Sequence, residues 1–169
     1  MIDGCTHTFA ELTSVVLPGY MARLRTAMEE PRSLTEFCTT GVGTVTILRR
    51  LGHERDFSGC YVLVRDRKPF YVGISRGIVS RLRQHSKGTT HFDASLAYRM
   101  ACEKVLHTMT RDGAMKDPSF RRAFDEAQRL LRDSGVAFIE IRNPLELYLF
   151  EAYCAMELDT SEWNTFRTH

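Results

Sequence analysis

The chain has 169 residues, of which 43% are hydrophobic and 26% are charged, which excludes a disordered chain and leaves room for one domain with a sizeable core. The formal net charge is only +2, so bulk charge does not indicate a nucleic-acid binder. No stretch approaches the roughly 20 apolar residues of a membrane span, and no secretory signal is visible, so we expect no membrane partner.

The cysteines are five in number and widely scattered, at positions Cys5, Cys38, Cys60, Cys102 and Cys154. This pattern fits neither a disulfide framework nor paired metal ligands. Free thiols are typical of a reducing compartment, so we expect a cytoplasmic protein.

Residues 1–56 predict a helical extension ahead of the main domain. Pro18-Gly19 predicts a break, after which a helix should run from Tyr20 to about Glu30. Two further short helices are expected on either side of the turn at residues 41–43. Such a pair is compatible with a helix-turn-helix, although a plain helical hairpin that covers one side of a sheet fits the pattern better.

The central stretch predicts a β-hairpin. Residues 59–64 and 70–74 are short apolar runs, rich in β-branched and aromatic side chains, and a charged segment separates them. Because side chains alternate between the two faces of a strand, Tyr61 and Tyr71 should share one face and lie nearly opposite each other. Gly73 would leave open space beside Tyr71.

A helix follows the hairpin and carries two more candidate residues. Arg81 and His85 are four positions apart, so they lie on one helical face. We therefore expect two phenols, a bare glycine, a guanidinium and an imidazole to meet on one small patch. The polar loop from Lys87 to His91 is placed to approach a ligand.

The remaining sequence predicts more helices and one more strand. Residues 88–135 should form a helical insertion, residues 136–141 a third strand, and Asn143-Pro144 the cap and first turn of a last helix. We therefore predict an α+β fold, in which a small three-stranded antiparallel sheet is flanked by helices. The domain that contains it should cover residues 57–169.

The last helix carries an acidic residue in an unusual position. At about 100° per residue, Glu151 lies on the apolar side of this helix, well away from the side that carries Glu146 and Glu157. A carboxylate on an apolar face is costly unless it is paired or binds a cation. From these residues alone, a core arginine and a metal ion are equally good partners for Glu151.

Charge is distributed unevenly along the chain. Residues 59–85 contain six basic side chains and one acidic one, whereas residues 143–169 contain one basic and five acidic. Arginine, the better bidentate partner for phosphate, predominates, because only four of the 23 basic residues are lysines. On charge alone, an ordinary solvated surface is the better explanation. The candidate nucleic-acid contacts are Arg76, Arg83, Lys87, His91 and Arg99.

The motifs Gly59-Cys60-Tyr61 and Tyr71-Val72-Gly73, followed by Arg81 and His85, resemble the signature of the GIY-YIG nuclease superfamily. The first motif has Cys60 and the second has Val72 in the middle position, and both keep a small or branched apolar side chain on the face away from the tyrosines. Further along, Glu151 and Asn164 match a glutamate on the last helix and an asparagine that follows it. The resemblance covers about residues 57–166.

The resemblance implies how the phosphodiester bond would be attacked. Tyr61 would be the general base, held by Tyr71, with His85 as a helper or alternative base. Arg81 would hold the scissile phosphate. A tyrosine is a poor base at its free pKa of about 10, so a nearby cation would be needed to favour its phenolate.

The resemblance also implies a metal site. Glu151 would ligate one divalent cation, Mg²⁺ or Mn²⁺, and Asn164 would orient groups around it. A single carboxylate suits magnesium, which keeps most of its waters. Gly59 and Gly73 would be structural residues at the site, with Gly73 allowing close approach of the backbone.

The expected function is therefore that of a divalent-metal-dependent DNA endonuclease. Two alternatives remain open: a structure- or single-strand-directed nuclease of DNA repair or processing, and a catalytically silent nucleic-acid-binding module. DNA is the expected partner in each case. Nothing in the sequence distinguishes a monomer from a homodimer.

Overall fold

The structure is a computed structural model that describes residues 1–166 of the chain. Its residues fall into two compact units, each of which is described by itself. The first unit contains Met1–Arg32, Arg55–Ile78 and the chain from Gly135 onward. The second unit contains Ser33–Glu54 and Val79–Ser134.

One antiparallel sheet dominates the first unit. Its strands are β1 (Arg32–Ser33, whose second residue belongs to the second unit), β2 (Gly59–Arg65), β3 (Lys68–Ser75) and β4 (Gly135–Glu140), in the spatial order β1-β4-β2-β3. The predicted α+β class and its three main strands are confirmed; the additional strand is only two residues long, too short to leave a pattern in the sequence.

The hairpin between β2 and β3 closes through a two-residue turn. Asp66 and Arg67 both have positive φ, 51° and 62°, which matches the right-handed twist of the strands although neither residue is glycine. A register irregularity follows between Leu63 and Val64, where Val64 is paired with Pro69. Proline is tolerated here because β3 is an edge strand and the irregularity interrupts the ladder.

Two helices cover one face of this sheet. They are α2 (Leu17–Glu29) and α9 (Pro144–Glu157), which bury their apolar side chains against alternate residues of the strands. The shared core includes Leu24 from α2, Phe150 from α9, and Val62 and Val72 from the hairpin, all fully buried. Tyr61 and Tyr71 therefore point to the opposite face.

The first unit begins with a longer helical run than the sequence predicts. A short α1 (Phe9–Glu11) continues through a π-helical segment, Leu12–Val16, directly into α2, so the break expected at Pro18-Gly19 is absent. The wider π turn explains the difference. It lets the Leu17 N–H donate to the carbonyl of Leu12, and the missing N–H of Pro18 then falls in the first turn of α2.

The second unit is helical. Its elements are α3 (Thr35–Cys38), α4 (Thr44–Arg50), α5 (Ile78–Lys87, whose first residue belongs to the first unit), α6 (Ser95–Lys104), α7 (Arg111–Lys116) and α8 (Pro118–Arg132). Helix α8 packs against α6 and α7. Across residues 1–166, no helix combines the length and the apolar character that crossing a lipid bilayer requires.

Candidate functional site

The hairpin brings the two tyrosines together on one face of the sheet. Their ring centroids lie 6.2 Å apart, with an angle of 54° between the planes. The predicted common face is confirmed, but the expected opposite placement is wrong. The register pairs Tyr61 with Gly73, and Leu63 with Tyr71, so the two phenols are diagonal neighbours.

The space above Gly73 is occupied by the phenol of Tyr61. A Cβ atom at position 73 would lie 2.5 Å from Cζ and 2.9 Å from Cε1 of that ring. Only glycine leaves room for Tyr61 in this register. Tyr61 is 1% exposed, whereas Tyr71 is half-buried, so solvent reaches Tyr71 more readily.

Gly59 has a different reason for lacking a side chain. A Cβ atom there would collide with the backbone carbonyl oxygen of Ile139 in the neighbouring strand β4. Gly59 thus permits the close approach of β2 and β4, and it sets the strand on which Tyr61 stands two residues later.

Asn164 is fixed against the edge of the same hairpin. Its side-chain Oδ1 accepts a hydrogen bond from the Val72 N–H at 2.9 Å, and its Nδ2 donates to the Val72 carbonyl at 2.8 Å. These two bonds satisfy a backbone segment at the free edge of the sheet. They place Asn164 beside the residue between Tyr71 and Gly73.

Glu151 is a half-buried carboxylate on helix α9. Within residues 1–166 it forms no hydrogen bond and no ion pair, so the alternative of a core arginine is not realised. Burial raises the pKa of Glu151 above the ordinary value. The nearby carboxylate also contributes to the raised pKa of the Cys60 thiol, after burial and the Cys154 thiol. Glu151 therefore lies near Cys60, which belongs to the core on the α9 side of the sheet.

The other buried acid of α9 was missed by the sequence pattern. Glu146 is 6% exposed and accepts a hydrogen bond of 2.6 Å from the hydroxyl of Tyr20. Burial, followed by this bond to the carboxylate, raises the pKa of Tyr20 to about 12. The pair borders a cavity of about 370 Å³. The charged residues that line this cavity are two arginines and two glutamates, namely Arg23, Arg142, Glu140 and Glu146.

In the second unit, the Arg81 guanidinium is held by three groups. Nη1 donates to Gln84 Oε1 at 3.2 Å and to the Asp93 carbonyl at 3.0 Å, and Nη2 donates to Ser95 Oγ at 2.9 Å. A guanidinium has five N–H groups. Among the described residues, Nε and one N–H of Nη2 have no partner.

His85 lies one turn after Arg81 and is fully buried. Burial, and secondarily the positive charge of Arg81, lower the pKa of His85 to about 3. The imidazole is therefore neutral at physiological pH and cannot serve as a proton donor in its charged form.

The candidate nucleic-acid contacts differ in accessibility. Arg83 donates to the carbonyls of Phe37 and Val42, and the buried His91 lies 3.4 Å from the Asp112 carboxylate, so both are engaged inside the second unit. Lys87 is exposed and approaches the Thr39 carbonyl at 3.5 Å. The other two candidates, Arg76 in the first unit and Arg99 in the second, are exposed and have no hydrogen bond to a described residue.

A multi-residue metal cage is absent from residues 1–166, where no three His, Cys, Asp or Glu side chains are grouped to hold an ion. A cation at Glu151 would take one protein carboxylate and several waters. That donor set fits magnesium and does not fit zinc, which prefers more nitrogen or sulfur ligands.

Comparison of the chain with protein-family models, with curated proteins and with solved structures gave no match.

Proposed function

We propose that this chain is a divalent-metal-dependent DNA endonuclease of the GIY-YIG type. One observation carries the proposal: Glu151 is a half-buried carboxylate with no hydrogen bond or ion pair to a described residue. Desolvating a carboxylate without compensation is unfavourable, so a folded protein rarely keeps one unless a ligand occupies it. A hydrated Mg²⁺ is a suitable ligand, because it is commonly bound through one or two carboxylates together with substrate phosphates.

In this proposal the hairpin supplies the base. Tyr61 accepts a proton from the attacking water, and Tyr71, 6.2 Å away between ring centroids, holds its position. Gly73 provides the room in which the Tyr61 phenol is seated. Because the Tyr61 side chain is only 1% exposed, water would have to reach the phenol when substrate binds.

Arg81 supplies the positive charge on the scissile phosphate. Its contacts with Asp93 and Ser95 fix the guanidinium, and the two remaining N–H groups bind a phosphoryl oxygen. Glu151 would hold Mg²⁺ or Mn²⁺, which supplies Lewis-acid stabilisation of the phosphate and of the departing 3′ oxygen. Asn164 keeps the edge of the hairpin in place.

The test is incubation of the purified protein with labelled duplex and single-stranded DNA, in Mg²⁺ or in chelator. We expect cleavage with the metal and none with chelator. Equal cleavage in Mg²⁺ and in chelator would exclude the role of Glu151 as a metal ligand. Binding without any cleavage would instead support a catalytically silent nucleic-acid-binding module.

A further inference from the structure

One aromatic ring of the second unit is exposed on a rigid support. Phe92 is 74% exposed, in the turn between α5 and α6. Its ring lies against the imidazole of His91, with centroids 3.9 Å apart and an angle of 38° between the planes. His91 itself is only 5% exposed. The outer face of the phenyl ring is thus presented to solvent while its inner face rests on a buried ring.

The His91 imidazole beneath Phe92 has two further neighbours, Asp112 and Tyr98. The Nδ1 atom of His91 lies 3.4 Å from the Asp112 carboxylate. The ring of Tyr98 lies 5.6 Å from the imidazole, and Tyr98 is itself buried in helix α6. An isolated exposed phenylalanine is ordinary on protein surfaces. The Phe92 ring, tilted by 38° against a buried imidazole, offers its exposed side to another flat ring.

The turn that carries Phe92 is hydrogen-bonded to Arg81, the residue that is proposed to bind the phosphate. Arg81 donates to the carbonyl of Asp93, the residue directly after Phe92, at 3.0 Å. On the other side, Arg121 donates to the Thr89 carbonyl at 3.3 Å, and Gln128 donates to the Gly88 carbonyl at 2.7 Å. The guanidinium that is proposed to hold the scissile phosphate is therefore bonded to the turn from which the exposed ring projects.

The net charge of the second unit favours a polyanion. The second unit contains 13 basic and 9 acidic residues, whereas the first contains 10 and 12. An exposed aromatic side chain in a basic unit is the combination with which proteins bind unpaired nucleotides, because every base offers a flat face and every nucleotide a phosphate.

We propose that Phe92 stacks on an unpaired base of the DNA substrate, at a nucleotide adjacent to the phosphate held by Arg81. This inference rests on the proposed nuclease function and deepens it, since it names DNA with an unpaired nucleotide near the cut as the preferred substrate. In duplex DNA the base faces are covered by their neighbours, so stacking on Phe92 would require a base to leave the helix.

The experiment measures binding in chelator, where no cleavage occurs, by fluorescence anisotropy of a labelled short single strand and of the matching duplex. Phe92→Leu keeps an apolar side chain and removes the flat ring. Phe9→Leu is the matched control, because Phe9 is 68% exposed and belongs to the first unit. Circular dichroism of both variants checks that each remains folded.

We expect Phe92→Leu to weaken single-strand binding about tenfold and Phe9→Leu to leave it unchanged. The salt dependence of binding should be the same as in wild type, because a phenyl ring displaces no counterions. Unchanged single-strand binding by Phe92→Leu would overturn the proposal, as would an equal loss for single strand and duplex.

Cleavage in Mg²⁺ is measured separately on both DNAs. If Phe92→Leu loses single-strand affinity while the wild type cleaves nothing, stacking stands and the nuclease function fails. If the wild type cleaves and Phe92→Leu binds single strands normally, the nuclease function stands and stacking fails.

Discussion

Glu151 is a side chain whose ionised form is unfavourable for folding, because its carboxylate is half-buried. Burial raises its pKa, so the folded protein binds this proton more tightly than the unfolded chain does. The folded state is therefore favoured while the group is protonated. That contribution is lost as pH rises from the unfolded pKa through the raised folded pKa.

We expect Glu151→Gln to be as stable as wild type or more stable at neutral pH, because the amide carries no charge to desolvate. The free energy of unfolding, measured in urea across the acidic to neutral range, checks this. Glu157→Gln is the control on the same helix, since Glu157 is exposed and pairs with Arg25 at 3.2 Å. Strong destabilisation by Glu151→Gln alone would show that the carboxylate has a structural partner.

A substitution at Gly73 tests whether the position of the Tyr61 phenol matters for cleavage. In Gly73→Ala the new methyl group would lie 2.5 Å from Cζ of Tyr61, so that ring must move. Displacing a base by about an ångström costs on the order of 100-fold in rate, and overpacking costs about 1–3 kcal/mol of stability. Cleavage is to be assayed at a temperature where thermal melting shows the variant folded.

The control for this change is Gly19→Ala, in helix α2, where an added Cβ meets no atom within 4 Å. It should leave cleavage unchanged and stabilise the helix by about 0.5–1 kcal/mol. Wild-type activity in folded Gly73→Ala would mean that the position of Tyr61 does not matter to the reaction.

At the scale of elements, Asn164 fastens the segment after α9 to strand β3. Its two hydrogen bonds to Val72 are the kind of contact that an alanine removes cleanly. We expect Asn164→Ala to lose about 1–3 kcal/mol of stability, since the fully buried Val72 would keep unsatisfied backbone groups.

Hydrogen exchange is the specific readout, because the Val72 amide is the donor to Asn164 Oδ1. That amide should exchange faster in Asn164→Ala, while the Val62 amide in the centre of the sheet keeps its protection. Ser161→Ala serves as the control, because among residues 1–166 the Ser161 hydroxyl bonds to the exposed Asp159 alone. Unchanged protection of Val72 would contradict the fastening role.

The elements that the sequence predicted well are those with a strong local signal. The apolar runs at residues 59–64 and 70–74 form β2 and β3, and Asn143-Pro144 caps and opens α9 as expected. The failures come from context. Pro18 is accommodated by a π turn upstream of it, and β1 exists only because Arg32–Ser33 lies along a sheet edge.

The sequence predicts which residues make up the candidate site, but it does not predict which of them are buried. Periodicity places Arg81 and His85 on one helical face, but it does not show that His85 is sealed from solvent or that Arg83 is used inside its own unit. It also gave no sign of Phe92, because an exposed aromatic residue in a loop has no sequence signature of its own.

At the scale of the whole molecule, the charges of the two units differ in sign. The second unit has four more basic than acidic residues and contains Arg81, whereas the first has two more acidic than basic and contains Glu151. DNA binding should therefore depend on salt and should survive the loss of Glu151, because affinity for the backbone comes from distributed cations.

The most direct test of the central claim compares wild type, Glu151→Gln and Glu157→Gln for DNA cleavage in Mg²⁺, with binding measured in chelator on the same samples. We expect Glu157→Gln to cleave like wild type. Glu151→Gln should bind DNA normally and cleave at least about 100-fold more slowly. Cleavage by Glu151→Gln at the wild-type rate would contradict the metal site, and with it the proposed nuclease mechanism.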